Sequence, residues 1–583
     1  MQPAGSLFWI VLGATLLGVG SRVTIPPFTW LALIFLLHGS RSTTIWRAAP
    51  WLYLALYGAV AVANRGILPA SGLAYFVITG FITATLIAPF VLDRVAPLWS
   101  GGLGPTLIFP MAFVAVEFLR SRLAPGATWG SIAYTQYGNL PLMQTAAFAG
   151  IAGITFLIAW SASTFEIAWS RGLDWTVVRM PVLTCGAVLG AVLVSGSLRL
   201  AVAPAGRATI RVAAVNRPTD LFVPGEMTRI TEGSILPSER RSVAGKLARL
   251  DAWFLENSRR EARAGARFIV WPEQNLLTFK EDEADFLRRA QRLAAEEHTY
   301  LAIGMGTIHL GEMLPFENKL VLIDPSGGII LSYRKTHPVM GWEAGIMKPG
   351  DGRLSVVSTG EGRIAAAICY DADFPEFIRQ AGRGSADLLI IPANDWKQIK
   401  DLHSQMAAFR AIENGVPLVR AAASGVSAAF DPWGRALGVA DYFAPGDRIL
   451  NVQVPMGNVP TLYARTGDLF AWLCVAGLVL AFGRKSVFPL RLRASRGERR
   501  AAVRIASAIV VLATSLLGVR FAIQELSGFL NQTIQQQFVR GSQVHAQPAS
   551  PLPLKQSLLQ RVDPVAELEN HGTCRVAGDQ ETP

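Results

Sequence analysis

The stretch Arg363-Ile-Ala-Ala-Ala-Ile-Cys369-Tyr-Asp371 reads as a buried strand that ends on a thiol. A nucleophile at the end of a central strand is held rigidly and faces a crevice. Two further runs end on matching chemistry. Phe268-Ile-Val-Trp-Pro-Glu273 delivers a carboxylate, and Ile329-Ile-Leu-Ser-Tyr-Arg-Lys335 delivers an ammonium. Each alone has a plain structural reading: a strand followed by a turn, a solvated edge lysine, a small buried hydrophobe. Together, in one domain, a carboxylate, an ammonium and a thiol form the Glu-Lys-Cys set of acyl transfer.

The rest of the chain places that set beside a membrane. Of 583 residues 51% are hydrophobic and 16% charged, against about 25% charged in a soluble protein. The deficit is concentrated before Gly206, whereas Ala208 to Val454 has ordinary globular composition. The chain is therefore read in four parts: a multi-span membrane domain over 1–205, an α/β domain over 206–456, a membrane return with a basic loop over 457–530, and a polar, disordered tail over 531–583. Apolar runs fall at Leu7–Val19, Phe28–Leu37, Trp51–Ala63, Leu73–Leu92, Leu107–Leu119, Leu142–Trp169 and Val177–Val194, with later ones at Leu469–Phe482 and Ala501–Ile523. Some are shorter than the ~20 residues a bilayer requires, and whether the last one crosses is left open. A signal peptide is the alternative for the first run, but no basic segment precedes it.

Net charge is +12. The excess is read as the positive-inside bias of a membrane protein. Nucleic-acid binding would need a basic, aromatic-interleaved face in the α/β domain, and none is evident. Arg484, Lys485, Arg491, Arg493, Arg496, Arg499 and Arg500 beside a span belong in the cytoplasm, which puts the α/β domain outside. Arg120 and Arg122 conflict with a seven-span count, so their segment is read as re-entrant rather than as a loop. Cys185 and Cys474 lie in apolar runs as packing residues, Cys574 is in the tail, and no Cys-x-x-Cys occurs. Neither a metal nor any other cofactor is expected.

Strands are expected at Ile210–Val215, Ala266–Trp271, Tyr300–Gly304, Leu320–Ile323, Ile329–Tyr333, Ile364–Ile368, Asp387–Ile391, Leu418–Ala422 and Ser427–Phe430. Helices are expected at Ser242–Ala264 and Ser404–Asn414, the second closed by Gly415. The alternation argues for an α/β domain. A thiol needs its proton removed to attack, and none of His298, His309, His337 or His403 follows a strand end that also carries an acid. Glu273 is the candidate base, and Lys335 the charge that stabilises an oxyanion.

Trp-Pro-Glu273, Tyr-Arg-Lys335, Ile-Cys369-Tyr-Asp, Pro392-Ala-Asn-Asp395 and Arg410-Ala-Ile-Glu-Asn414 resemble the nitrilase, or carbon–nitrogen hydrolase, superfamily. The resemblance implies a four-layer α-β-β-α sandwich, with Glu273 as general base, Lys335 as oxyanion-stabilising cation and Cys369 as acylated nucleophile. The order of membrane domain, α/β domain and returning span is similar to the bacterial apolipoprotein N-acyltransferase family. So are Glu117-Phe-Leu-Arg, Trp129-Gly-Ser-Ile-Ala-Tyr-Thr-Gln136, Gln405-Met-Ala-Ala-Phe-Arg-Ala-Ile-Glu-Asn-Gly415 and Asp431-Pro-Trp-Gly434. That resemblance implies a multi-pass protein of the bacterial inner membrane, monomeric, with its catalytic domain on the periplasmic side. It takes a fatty acyl chain from a phospholipid onto cysteine and passes it to the N-terminal amine of a diacylglyceryl-cysteine lipoprotein. The alternative is a membrane-tethered amidase, or an acyltransferase with another amine acceptor. Three departures from the family motivate it: Val339-Met-Gly-Trp-Glu343 after the lysine, Asp371 where the family has Glu, and Trp396-Lys-Gln-Ile after Asp395.

Three residues are candidate supports. Glu343 either steadies Lys335 and Glu273 or is a solvated loop acid. Tyr370 follows the nucleophile. Glu413 either reaches toward the triad or pairs with Arg410. Trp271 and His403 are read as structural, and Glu117 is expected to pair with Arg120, one turn on.

Overall fold

Residues 3–96, 102–204, 208–217, 225–340, 343–446 and 448–487 are described by a computed structural model. The expected run Ala501–Ile523, the tail and most of the basic loop lie outside them. Each of the seven N-terminal apolar runs grows into a helix: α1 (Pro3–Val23), α2 (Pro26–Arg41), α3 (Ile45–Ala63), α4 (Gly72–Val95), α5 (Gly104–Leu123), then short α6 (Leu140–Met143) and α7 (Ala146–Ser170), and α8 (Trp175–Ala201). Among the described residues five helices, α1, α3, α4, α7 and α8, are long and apolar enough to cross a membrane. Helix α2 spans 16 residues, and α5 carries Glu117, Arg120 and Arg122 at its end.

The expected apolar run Leu142–Trp169 holds both α6 and α7, and within α7 the chain turns at Gly150, whose φ is +62°. The Tyr463 ring occupies the space beside it, 2.6 Å from where a Cβ would sit. The Ile151 amide freed by this break donates to Glu413 Oε1 (3.1 Å). Helix α5 is continuous to Leu123 and carries Arg120 and Arg122 in its last turn. Arg120 donates to Trp129 O (3.0 Å), and Arg122 pairs with Glu376 (3.0 Å) and Asp468.

The α/β part contains α9 (Glu226–Thr231), α10 (Pro237–Arg263), α11 (Lys280–Glu296), α12 (Pro375–Arg383) and α13 (Lys400–Asn414). After it come α14 (Leu462–Thr466) and α15 (Leu469–Val487). Its strands are β1 (Thr209–Ala214), β2 (Phe268–Phe279), β3 (Tyr300–Ile308), β4 (Phe316–Ile323), β5 (Ile329–Arg334), β6 (Val356–Thr359), β7 (Gly362–Ala366), β8 (Leu388–Asn394), β9 (Leu418–Ala423), β10 (Val426–Phe430), β11 (Ala436–Asp441) and β12 (Leu450–Pro455). They form two six-stranded sheets, ordered β12-β1-β2-β3-β4-β5 and β11-β10-β9-β8-β7-β6. Strand alternation builds the layers. In β2, Phe268 and Val270 enter the core between the sheets, while Ile269 and Trp271 pack outward on Phe254 of α10 and Phe286 of α11. Helices α12 and α13 cover the other sheet with Phe377, Ile378 and Phe409. The result is the expected α-β-β-α sandwich. Helix α13 in turn meets α7, so the sandwich rests on the membrane helices.

Strand β2 runs on to Phe279, so Glu273 lies inside it rather than at its end. Its pairing with β3 jumps from Trp271↔Ile303 to Leu276↔Met305, leaving residues 272–275 bulged opposite Gly304. Pro272 has no N–H for the ladder, and Gln274 adopts φ +55°. A side chain at Gly304 would meet Pro272 O at 2.5 Å and Glu273 Cα at 2.9 Å. Gly304→Val is therefore expected to destabilise the protein by about 1–3 kcal/mol and to lower turnover by displacing Glu273. Thermal melting and an activity assay check this, and a neutral outcome in both would contradict the close approach.

Candidate active site

Three structural devices bring the predicted triad together. The bulge in β2 turns Glu273 inward, the end of β5 places Lys335, and Cys369 follows β7 at the start of a 3₁₀ turn, Cys369–Asp373. The Lys335 ammonium donates to Glu273 Oε1 (2.8 Å) and Glu343 Oε2 (2.6 Å), with its side chain 1% exposed. Glu343 is thus a buried partner of Lys335, not a solvated loop acid. Asn318 Nδ2 joins the two acids, donating to Glu273 Oε1 (2.7 Å) and Glu343 Oε1 (3.0 Å), while Gln274 Nε2 and Val339 N also donate to Glu343 (both 2.9 Å). Among the described residues both donors to Glu273 use Oε1, so Oε2 is the oxygen placed to receive a proton.

Burial opposes the charge on Lys335, but Glu273 and Glu343 outweigh it and hold the ammonium well above the usual lysine range. Burial pushes Glu343 up, Lys335 opposes this, and Glu273 adds to it. Two carboxylates thus share this one ammonium. Cys369 is 5% exposed and adopts φ +48°, a strained conformation for a non-glycine residue. Its thiol points to Asn394 O, 3.9 Å away. Burial and then Glu273 push this thiol well above the ordinary cysteine value, and Lys335 only partly offsets them. A thiol so placed would have to lose its proton in order to attack as a nucleophile.

The turn after Cys369 is tied on two sides. Asp371 Oδ2 accepts from Tyr333 Oη (2.6 Å) and Ile368 N (3.2 Å), and its Oδ1 from His337 N (2.8 Å), which joins the turn to the lysine-bearing segment. Tyr370 donates to Pro125 O, in the loop after α5. Glu413 stays outside the triad. It pairs with Arg410 (2.8 Å) while receiving the Ile151 amide, and burial, opposed by Arg410, pushes it up to about 7. Trp271 is a core residue, as expected. Glu117 and Arg120 do not pair directly; they grip the same loop. Glu117 accepts from Ser131 Oγ (2.9 Å), Ile132 N (2.9 Å) and Thr155 Oγ1 (2.8 Å), and Arg120 holds Trp129 O.

Sequence reasoning missed Asn318, because the expected strand began at Leu320. It also missed a buried quartet behind Cys369. His403 Nδ1 faces Asp395 Oδ1 (2.7 Å), its Nε2 faces Asp373 Oδ1 (3.3 Å), and Arg420 Nη2 donates to Asp395 Oδ1 (2.7 Å). The sequence reads His403 as structural; folding gives it two acid partners, from the ends of β8 and of the 3₁₀ turn. Burial would lower the His403 ring, but Asp373 and Asp395 outweigh burial and Arg420 and hold it at about 9. Ligand atoms of Cys369, Asp395 and His403 lie within 4.8 Å of one another, a donor set of the right types for a soft cation. Both ring nitrogens, however, face carboxylates, and Arg420 supplies a further positive charge, so the cluster is balanced by protons and guanidinium.

Residues 241–461 match the carbon-nitrogen hydrolase family, and residues 6–164 match the apolipoprotein N-acyltransferase N-terminal domain. An apolipoprotein N-acyltransferase of Geobacter metallireducens is 33% identical over 417 residues, covering 66% of this chain and 76% of that protein. The chain belongs to the apolipoprotein N-acyltransferase family. A family member from Bradyrhizobium diazoefficiens is 26% identical, covering 68% of this chain and 76% of its own. Among solved structures, an amidase from Nesterenkonia sp. is similar over 47% of this chain and 98% of that chain, at 21% identity and a TM-score of 0.33. Members of the family are membrane acyltransferases, and the five apolar helices agree with a bacterial membrane protein.

Two measurements probe the site. Alkylation of Cys369 by neutral iodoacetamide should keep accelerating above pH 9, because the folded thiol titrates above its ordinary value of 9.0. A plateau reached below pH 8 would show a preformed thiolate. Lys335→Met should cost at least about 10²–10³ in turnover. It also leaves Glu343 buried without its cation, so the already raised titration of this acid rises further. A raised carboxyl contributes stability at low pH and loses it as pH climbs through the folded value. The melting-temperature deficit of Lys335→Met relative to wild type should therefore be larger at pH 8 than at pH 5.

Proposed function

We propose that this chain moves a fatty acyl chain from a phospholipid, through a thioester on Cys369, to the N-terminal amine of a diacylglyceryl-cysteine lipoprotein. The observation that carries the reading is the buried Glu273-Lys335-Cys369 set in a sandwich seated on membrane helices. In the first half-reaction Cys369 Sγ attacks the ester carbonyl and Glu273 Oε2 takes its proton. Lys335 stabilises the oxyanion, and the lysophospholipid alkoxide leaves with the proton from Glu273. In the second the amine attacks the thioester, gives its proton to Glu273, and the thiol is restored. A site at the bilayer surface concentrates both lipid substrates and limits competition from water. That is the difference between acyl transfer and amide hydrolysis on the same intermediate.

Sidedness has its own support. The α1–α2 connection reaches the sandwich through Thr24 Oγ1 and Gln405 (3.0 Å), and the α3–α4 connection through Trp396 Nε1 and Gly66 O (2.7 Å). The opposite helix ends converge where Arg41 pairs with Asp93 (2.9 Å) and Glu166 (2.5 Å). Helix α15 leads from the sandwich into the basic segment 484–500, which the positive-inside rule assigns to the cytoplasm. The sandwich then faces the periplasm.

In a strain without this chain and without a second such enzyme, mass spectrometry should find lipoprotein N-termini lacking the third acyl group; unchanged N-acylation would refute the reading. In purified protein, Cys369→Ala should show neither adduct nor turnover. Glu273→Gln should acylate slowly at neutral pH and accumulate acyl-enzyme at high pH. Solvent then supplies thiolate, while the attacking amine still lacks its proton acceptor. Release of free fatty acid or ammonia without peptide acylation would favour the amidase.

A further inference from the structure

We infer that the membrane domain supplies part of the nucleophile's support: Trp129 and Thr128, with Asp373 and His403, form a clamp that fixes the Cys369 turn, and these are positioning residues for the acylation step. The inference rests on the thioester reading of Cys369.

The 3₁₀ turn has two ends. Cys369 is at one, and Asp373 at the other is the point of attachment. Trp129 Nε1 donates to Asp373 Oδ2 (2.7 Å), Thr128 Oγ1 donates to Asp373 O (2.9 Å), and His403 Nε2 faces Asp373 Oδ1 (3.3 Å). The other nitrogen of His403 faces Asp395, the residue after Asn394, whose carbonyl the thiol meets. One imidazole therefore joins the two segments that bracket the sulfur, the end of its own turn and the end of β8. Arg420 braces the Asp395 side from β9 (2.7 Å). A Cβ at Gly425 would lie 2.4 Å from Asp395 Oδ2, so this side is packed closed as well.

The membrane side is equally rigid. Trp129 and Thr128 do not hang from a free loop. Arg120 holds Trp129 O, Glu117 holds Ser131 and the Ile132 amide, and Tyr134 Oη donates to Thr128 Oγ1 (2.8 Å) while accepting from Arg410 Nη2 (2.8 Å). The Trp129 ring also lies against His403, with centroids 5.4 Å apart. Helix α5 thereby reaches the Cys369 turn through a continuous series of polar contacts, most of them partly buried. Cys369 sits at φ +48°, a conformation that lasts only while its surroundings enforce it. Small displacements of a nucleophile are costly, about 10²-fold per ångström in rate.

The test uses the full-length protein in phospholipid vesicles. Trp129→Phe keeps the ring and removes the N–H; Asp373→Asn weakens the acceptor. Each should lower the rate constant for acyl-adduct formation on Cys369, followed by intact mass spectrometry, about tenfold or more at unchanged KM for phospholipid. Because the Trp129 N–H acts through Asp373, the double variant should lose no more than Asp373→Asn alone. In parallel, each should raise the iodoacetamide alkylation rate of Cys369 severalfold as the turn loosens. Wild-type acylation rates in both singles, multiplicative losses in the double, or a loss confined to KM would overturn the clamp. A wild-type protein that forms no acyl adduct would instead overturn the thioester reading. The alkylation arm, which needs no acyl donor, would still decide the clamp: faster labelling in the variants upholds it and unchanged labelling refutes it.

Discussion

A lysine ammonium 1% exposed to solvent is a costly feature of this fold, and its surroundings are arranged to compensate it. Removing a cation from water costs several kcal/mol unless it is paired and hydrogen-bonded. Lys335 meets two carboxylates, which themselves require donors. Asn318, Gln274 and the Val339 amide provide them. The bulge in β2, the bare backbone of Gly304 and the length of β4 all follow from bringing those groups to one point. The same arrangement suits catalysis: a charge fixed before the oxyanion forms needs no reorganisation when it does form.

The positions of Glu273, Lys335 and Cys369 beside strands were legible in the sequence because each follows a strongly apolar run, and such runs mark strands reliably. The seven N-terminal apolar runs marked helices for the same reason. What the sequence concealed depends on distance in space. Asn318 has no local signature, since it becomes meaningful only when β4 lies two strands from β2. His403 lies on a helix of mixed polarity, with its acids 8 and 30 residues away in the chain. Glu413 and Arg120 were ambiguous because the nearest charge along a helix is not the only donor or acceptor available. The break at Gly150 was hidden inside an apolar run, and its cause, Tyr463, lies some three hundred residues downstream. Strand ends were misplaced where proline interrupts a ladder that resumes, as at Pro272.

The departures from the family also acquire a physical role. Asp371 is short enough to accept from the backbone of its own turn and from Tyr333 and His337 together. It welds the cysteine turn to the lysine segment, and so belongs to the scaffold of the triad.

The grip of α5 on residues 128–134 bears on the order of synthesis. The ribosome completes α5 and this loop well before it makes Asp373, His403 or Arg410. The loop is held by Glu117 and Arg120 of its own half, so it stands finished at the bilayer surface while the sandwich is still emerging. Its free Trp129 and Thr128 donors then await a particular acceptor. A sandwich that closes in the wrong register leaves those donors without their acceptor, which penalises the wrong closure.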